Sequence, residues 1–333
     1  MKKFLALILS VAMVFALVAC GQKDTNDTPD TSDTPDAQTP AEGPVDVVLA
    51  TGGTSGTYYA VGGVLQTVLG PKLSLSKISV ESTGASVANV NMITDGDAQM
   101  AILQSDVISY AHSGTYSFED EPETSALWVA GIYNETVQIL AKPGINSVAD
   151  LKGKTVCVGD VGSGTEINAW QVLNAAGLTE NDIKAVNGTF QDGVDQLKDG
   201  KIDAAFTVAG APTTAIVDYA TTNTINLVSL TEDELAAIQS EYPFLIRDDL
   251  KAGTYTGQDN DVVCVAIQAT LVASETLSED VVYEVLKGMF DNQEALTAGH
   301  AKFGLLSAES ASAGATVTMH PGAEKYYKEI GVL

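Results

Sequence analysis

The hydrophobic positions of the chain follow one arrangement twice: a strand, a glycine-rich loop and a helix. An apolar run at 45–50 precedes the loop at 51–57, after which apolar residues recur at helical spacing. A second strand-like run at 154–159 precedes a second loop at 160–165 and a second amphipathic segment. Both loops contain Ser-Gly-Thr, and each repeat later contains a helix end, an Asp-Gly turn and an apolar run. The pattern predicts two similar α/β lobes, each with a mostly parallel sheet and flanking helices.

The first 44 residues predict export and a lipid anchor. Residues 1–19 combine two lysines with an apolar run, as in a signal peptide, and the run is shorter than the roughly 20 residues of a bilayer span. Cys20 follows small residues and resembles the lipidated cysteine of bacterial lipoproteins. Residues 20–44 are rich in Asp, Thr and Pro and predict a disordered tether. We therefore expect an extracytoplasmic protein that is held at the cell membrane through Cys20.

The composition of the chain argues against some classes of binding partner. The chain has 17 basic and 43 acidic side chains and a formal net charge of −26. This charge repels polyanions at long range, which argues against nucleic acid as a partner. Arg247 is the only arginine, so a carboxylate ligand must be held mainly by other groups. Cys157 and Cys264 lie in apolar runs, where both free thiols and a disulfide are possible.

Polar residues follow the predicted strands at the edge where open α/β sheets bind ligands. The Ser-Gly-Thr loops would present backbone N–H groups and positive helix ends to a small anion, although such residues are also ordinary helix caps. Glu135, Asp106 and Glu166 could receive a ligand ammonium, but Glu166 could equally stabilise its own helix dipole. The predicted ligand contacts are Ser55, Thr57, Tyr58, Ser82, Thr83, Ser86, Gln104, Asp106, Tyr133, Glu135, Ser163, Gly164, Thr165, Phe190, Ala209, Gly210 and Ala211.

The same residues do not fit common catalytic motifs. Ser55 and Ser163 are each followed directly by glycine, which breaks the Gly-x-Ser-x-Gly pattern of a nucleophile elbow. Neither loop has the lysine of a phosphate-binding P-loop, and the three histidines lack metal-ligand spacing. We therefore expect a monomeric binding protein and no enzyme, metal or cofactor.

Taken in order, the motifs of the folded part resemble the TAXI family, the solute-binding proteins of tripartite ATP-independent periplasmic (TRAP) transporters. The similarity extends over nearly all of 45–333. It rests on motifs at 51–59, 82–89, 159–168, 199–204, 210–213, 252–258 and 320–323.

The resemblance implies a two-lobed fold like that of type II periplasmic binding proteins, with a ligand cleft between the lobes. Lobe 1 would comprise 45–132 and 262–333, and lobe 2 would comprise 133–261. The expected function is capture of a small carboxylate-bearing solute by hinge closure, with glutamate, glutamine or a related dicarboxylate as the implied ligand. The protein would deliver this solute to the membrane permease subunits of a TRAP transporter. The alternative is a lipid-anchored sensor that presents a small acid to a receptor.

Overall fold

A computed structural model describes residues 43–333. The predicted signal peptide, the predicted lipidation site Cys20 and all but the last two residues of the predicted tether lie outside the described residues. Among residues 43–333, no helix has both the length and the apolar composition needed to cross a bilayer.

Strands and helices alternate along most of the chain, as the hydrophobic pattern predicts. The strands are β1 (Val45–Ala50), β2 (Ser76–Glu81), β3 (Met100–Gln104), β4 (Ala126–Ala141), β5 (Thr155–Cys157), β6 (Lys184–Val186), β7 (Ala204–Ala209), β8 (Ile246–Arg247) and β9 (Val265–Ser274). The helices are α1 (Thr57–Leu69), α2 (Ser86–Asp95), α3 (Ser105–Ser113), α4 (Gly164–Ala175), α5 (Phe190–Lys198), α6 (Thr214–Ala220), α7 (Glu232–Glu241), α8 (Glu279–Asp291), α9 (Gln293–Gly299), α10 (Ala308–Ala313) and α11 (Pro321–Glu329).

The strands form a nine-stranded sheet in the order β2-β1-β3-β9-β4-β7-β5-β6, with β8 paired to β9. In the first lobe β1 is parallel to β2 and β3, and in the second lobe β5 is parallel to β6 and β7. The long strands β4 and β9 are antiparallel to each other, and they join the two sets through antiparallel pairs with β7 and β3. Each lobe therefore has a mostly parallel sheet, in agreement with the sequence pattern.

The two long strands pass from one lobe to the other. Strand β9 pairs with β3 from Ala269 onward. Strands β4 and β9 lie so close to each other that a Cβ at Gly131 of β4 would overlap the side-chain amide of Gln268 of β9. Val262, where the resemblance implies that lobe 1 resumes, packs with Cys264, Leu250 and Tyr255 in one buried cluster. The predicted lobe limits themselves stay a prediction.

Each lobe has its own hydrophobic core. In the first lobe, residues of β1 and α1 pack with residues of α8 and α11, so the C-terminal helices complete this lobe. In the second lobe, residues of β5, β7 and α4 pack with the far ends of β4 and β9. Cys157 and Cys264 are free and buried. The predicted Asp-Gly turns end α2 and α5, since Gly96 (φ +82°) and Gly200 (φ +72°) adopt the left-handed conformation that favours glycine.

Candidate ligand-binding cleft

A cavity lies between the lobes, at the carboxyl ends of the parallel strands. Its empty volume is about 590 Å³, counted out to its open mouth. The loops after the strands and the first turns of α1, α2, α4 and α5 form its walls. This is the edge at which ligands bind in open α/β sheets.

The cavity brings together most of the predicted ligand contacts. Its lining includes Ser55, Thr57, Tyr58, Thr83, Ser86, Gln104, Glu135, Ser163, Gly164, Thr165, Phe190 and Ala209. It also includes residues that the sequence analysis did not select: Gly52, Gly53, Gly56, Gly84, Ala85, Asp160, Gly188, Thr189 and Val208. A signal for Thr189 was available, because it follows β6 in the same way that Thr83 follows β2. Contact of these residues with a ligand stays a prediction.

Five predicted contacts are not in the lining, and two of them form hydrogen bonds with lining residues. The hydroxyl of Ser82 donates to the carbonyl of Gly52 (2.9 Å) and so fixes the first glycine-rich loop. The other four are Asp106, Tyr133, Gly210 and Ala211. Asp106 is fully buried. The carbonyl of Gly210 accepts a hydrogen bond from the Thr57 hydroxyl (3.0 Å).

Helix N-termini from both lobes face the cavity. Helix α1 begins after Gly56 without a side-chain cap, whereas the backbone N–H of Glu166 donates to the Ser163 hydroxyl (3.1 Å) at the start of α4. A Cβ at Gly56 would lie 3.4 Å from the ring of Phe190, which shows how closely the opposite walls approach. The first N–H groups of a helix have no partner inside it, so each wall offers donors and positive dipole ends. Such a pair of walls is suited to an anion.

Direct hydrogen bonds hold the lobes together around the cavity. They are Thr57 Oγ1 to Gly210 O (3.0 Å), Val87 N to Gly162 O (3.2 Å), Asn168 Nδ2 to Asp106 Oδ2 (2.8 Å) and Gln171 Nε2 to Tyr110 Oη (2.9 Å). The last two bonds are buried and join α3 to α4. The structure is therefore a closed arrangement in which both lobes contact each other.

The base of the cavity contains buried polar atoms without partners. Glu135 is 1% exposed, and its Oε2 accepts a long hydrogen bond from Gln104 Nε2 (3.4 Å). Within residues 43–333, Glu135 Oε1, Gln104 Oε1 and the hydroxyls of Tyr58 and Tyr133 have no hydrogen-bond partner. An unsatisfied buried polar group costs roughly 1–3 kcal/mol. Four such atoms at one place make the base of the cavity a candidate point of contact for a ligand.

Burial also shifts the pKa values of ionisable side chains at and near the base of the cavity. Removal from water raises the pKa of Glu135 to about 8, so this carboxyl is mainly protonated at neutral pH. Burial likewise raises the pKa of Asp106 to about 6. The ammonium group of Lys302 lies 5.9 Å from the centre of the Tyr133 ring, and burial lowers its pKa. Lys302 has no sequence motif around it, and only the fold brings it to this place.

Of the three carboxylates that the sequence offered to a ligand ammonium, Glu135 is the one in the cavity lining. Glu166 accepts hydrogen bonds from the Gly162 N–H (3.0 Å) and from Asn187 Nδ2 (2.8 Å), so it stabilises its own loop. Asp106 accepts from Asn168, as described above. In the described part of the chain, no group of three or more His, Cys, Asp or Glu residues is arranged to hold a metal ion.

Comparison with known proteins gives a family and a fold. Residues 49–331 match the model of the NMT1-like family. The structure of PhnD1 from Prochlorococcus marinus is similar, with a TM-score of 0.51, 11% identity and coverage of 86% of this chain and 99% of that one. The periplasmic aliphatic sulphonate binding protein SsuA from Escherichia coli has a TM-score of 0.45, 15% identity and coverage of 86% and 83%. An ancestral arginine-binding protein has a TM-score of 0.49, 14% identity and coverage of 78% and 97%.

These comparisons confirm the predicted fold class, a two-lobed α/β fold like that of periplasmic binding proteins. The predicted assignment to the TAXI family of TRAP transporters is wrong, because the matching family model is the NMT1-like one. The physical reason lies in the motifs. Three of them, at 51–59, 82–89 and 159–168, are short loops of Gly, Ser and Thr that lead into helix N-termini, which an α/β lobe needs for any ligand that binds there. Such loops specify the fold more strongly than they specify one family.

Proposed function

The chain belongs to the NMT1-like family, and we propose that it is an extracytoplasmic solute-binding protein that delivers a small solute to a membrane transporter. The cavity between opposed helix N-termini of the two lobes is the observation that carries this proposal. The similar PhnD1 structure was solved with methylphosphonate, a small anion bound by a protein of this fold. We infer that the ligand of this chain is also small and has at least one anionic group, such as a carboxylate.

The anionic group would be held by helix ends and hydroxyls. Ser86 and Thr165 line opposite walls of the cavity, at the first turns of α2 and α4. A ligand that contacts both walls stabilises the closed form, whereas a ligand held by one lobe alone would not shift the hinge equilibrium. Micromolar affinity requires about −8 kcal/mol, which a few charge-assisted hydrogen bonds in a dry cleft can supply.

The anchor belongs to the same proposal. Lipidation of Cys20 would hold the protein beside a membrane transporter, and the acidic tether would give it reach. Mass spectrometry of the protein purified from membranes tests this step, because a lipid-modified cysteine at the mature N-terminus has a characteristic mass. An unmodified chain in the soluble fraction would contradict the anchor and leave the binding site untouched.

A ligand screen tests the binding function. The purified protein is heated with amino acids, C4–C6 dicarboxylates, phosphonates and sulphonates, and the compound with the largest thermal shift is measured by calorimetry. We expect Ser86→Ala and Thr165→Val each to weaken its binding at least tenfold while the fold is kept. Thr67→Val and Ser113→Ala are matched controls at exposed positions away from the cavity. Unchanged affinity in both cavity variants would overturn the assignment of the cleft.

A further inference from the structure

The base of the cavity suggests how the ligand is selected, an inference that rests on the proposed function. We propose that Glu135 is a specificity-determining residue that binds an ammonium group of the ligand and releases its own proton to the solvent when it does so. The ligand would then be a small acid with an amine. Its anionic group would face the helix N-termini, and its ammonium would face the base.

Two of the four unpartnered atoms at the base are carboxyl or amide oxygens, and the other two are phenol hydroxyls, which can donate or accept. Glu135 Oε1 and Gln104 Oε1 both lack partners among residues 43–333, although both side chains are at least 98% buried and line the cavity. The Gln104 oxygen accepts hydrogen bonds in every protonation state, so it would repel an anionic group of the ligand. An ammonium has three N–H donors and can satisfy both oxygens at once. This pair of oxygens therefore favours a donor group over a second carboxylate.

The charged and titratable groups around Glu135 come from several elements. Tyr58 from α1 and Tyr133 from β4 are neutral phenols, and burial raises the pKa of each above its ordinary value. The Tyr58 hydroxyl is close enough to the Glu135 carboxyl to act against the rise in the pKa of Glu135. Asp106 from α3 acts on Glu135 through its negative charge, and Lys302 acts from the C-terminal part of the first lobe with the opposite sign. The loss of water around Glu135 changes its pKa more than any of these neighbouring groups does, so this carboxyl stays protonated at neutral pH while the pocket is empty.

A ligand ammonium beside Glu135 would lower the pKa of this carboxyl and so change its protonation state. The cation favours the carboxylate, so the O–H bond of the carboxyl breaks and the proton passes to the buffer, while the ligand keeps all its protons. The products are a buried ion pair and one solvated proton. With a pKa of about 8, roughly nine in ten Glu135 side chains carry a proton at pH 7, so binding should release about 0.9 proton. An acid without an amine would release none.

Calorimetry with matched ligands tests the inference. The pairs are L-glutamate with glutarate, L-glutamine with glutaramate, and L-alanine with propionate, each pair differing by the ammonium. The tightest ligand is then titrated at pH 7 in phosphate and in Tris, whose different ionisation enthalpies reveal the number of protons released. We expect the amine-bearing member to bind at least tenfold tighter and to release close to one proton.

Two further measurements make the test decisive. Glu135→Gln keeps the shape but cannot ionise, so it should abolish proton release and weaken the amine-bearing ligand at least tenfold. Glu180→Gln, at an exposed position of the second lobe, is the matched control. If Glu135→Gln does not fold, the wild type suffices, because its affinity for the amine should rise about fifty-fold from pH 6 to pH 8.

The outcomes separate the two proposals. Tight binding of an acid without an amine, or binding without proton release at pH 7, would overturn the role of Glu135 and leave the solute-binding function standing. Failure of every compound in these pairs and in the broader screen would overturn the solute-binding function, and the inference would fall with it.

Discussion

Replacing Glu135 by glutamine should change how the stability of the unliganded protein depends on pH. The ordinary pKa of this carboxyl is 4.5, and burial in the folded protein raises it to about 8. Between these values the folded state binds more protons than the unfolded state, so stability falls as the pH rises. The contribution is fully present below pH 4.5 and is lost as the pH rises through about 8.

The size of the effect follows from the two pKa values. Each pH unit between them costs about 1.4 kcal/mol, so the wild type should lose about 4 kcal/mol relative to Glu135→Gln between pH 5 and pH 8. Asp106 also has a raised pKa, and its contribution is lost between about pH 4 and its folded pKa of about 6. Because both proteins contain Asp106, its contribution cancels in the difference.

Urea unfolding at pH 5, 6.5 and 8.5 measures this difference. Trp128, which is fully buried in the first lobe, and Trp170, which packs in the second, report on both lobes by fluorescence. We expect the free energy of unfolding of Glu135→Gln, relative to that of the wild type, to increase at each step toward higher pH. A free-energy difference that stays constant within about 1 kcal/mol across the three pH values would refute the reasoning, because Glu135 would then be ionised in both states.

Two further predictions concern the walls of the cleft. Ala85 precedes α2 with φ +70° and ψ −145°, a conformation that strains L-residues, so Ala85→Gly should raise the free energy of unfolding by about 1 kcal/mol. Ala88→Gly in the same helix should lower it by a similar amount, and thermal unfolding of both checks the sign. Asn168→Ala removes the hydrogen bond to Asp106, so it should cost roughly 1–3 kcal/mol and increase the radius of gyration of the unliganded protein in X-ray scattering. Scattering identical to that of Asn181→Ala, an exposed control, would contradict a role in closure.

The local part of the site could be predicted because it follows directly from chain order. Ser163, Gly164 and Thr165 come after a short buried strand and begin a helix, so their place at the sheet edge depends on one strand and one helix alone. The same logic holds for Thr57 and Ser86. The strand–loop–helix repeats were therefore enough to predict the fold class and many of the residues that line the cavity.

The rest depends on long-range packing that no local pattern contains. Lys302 is far along the chain from Tyr133, and only the return of the C-terminal region to the first lobe brings them together. Asp106 followed the right strand, but its partner Asn168 lies 62 residues later in α4 and meets it only through the packing of α4 against α3. The family assignment failed for a related reason, since loops that bind by backbone and hydroxyl groups place few constraints on side-chain identity.

Strand β9 has a consequence for the order in which the chain can fold. It supplies the neighbour of both β3 and β4 in the sheet, yet it begins only at Val265. Until that segment is synthesised, β3 presents an unpaired edge, and exposed edges promote aggregation. The first-lobe core also needs α8 and α11, so nearly the whole chain must be available before the N-terminal strands find their final neighbours. A chain built in this way reaches its final sheet order only late in its synthesis.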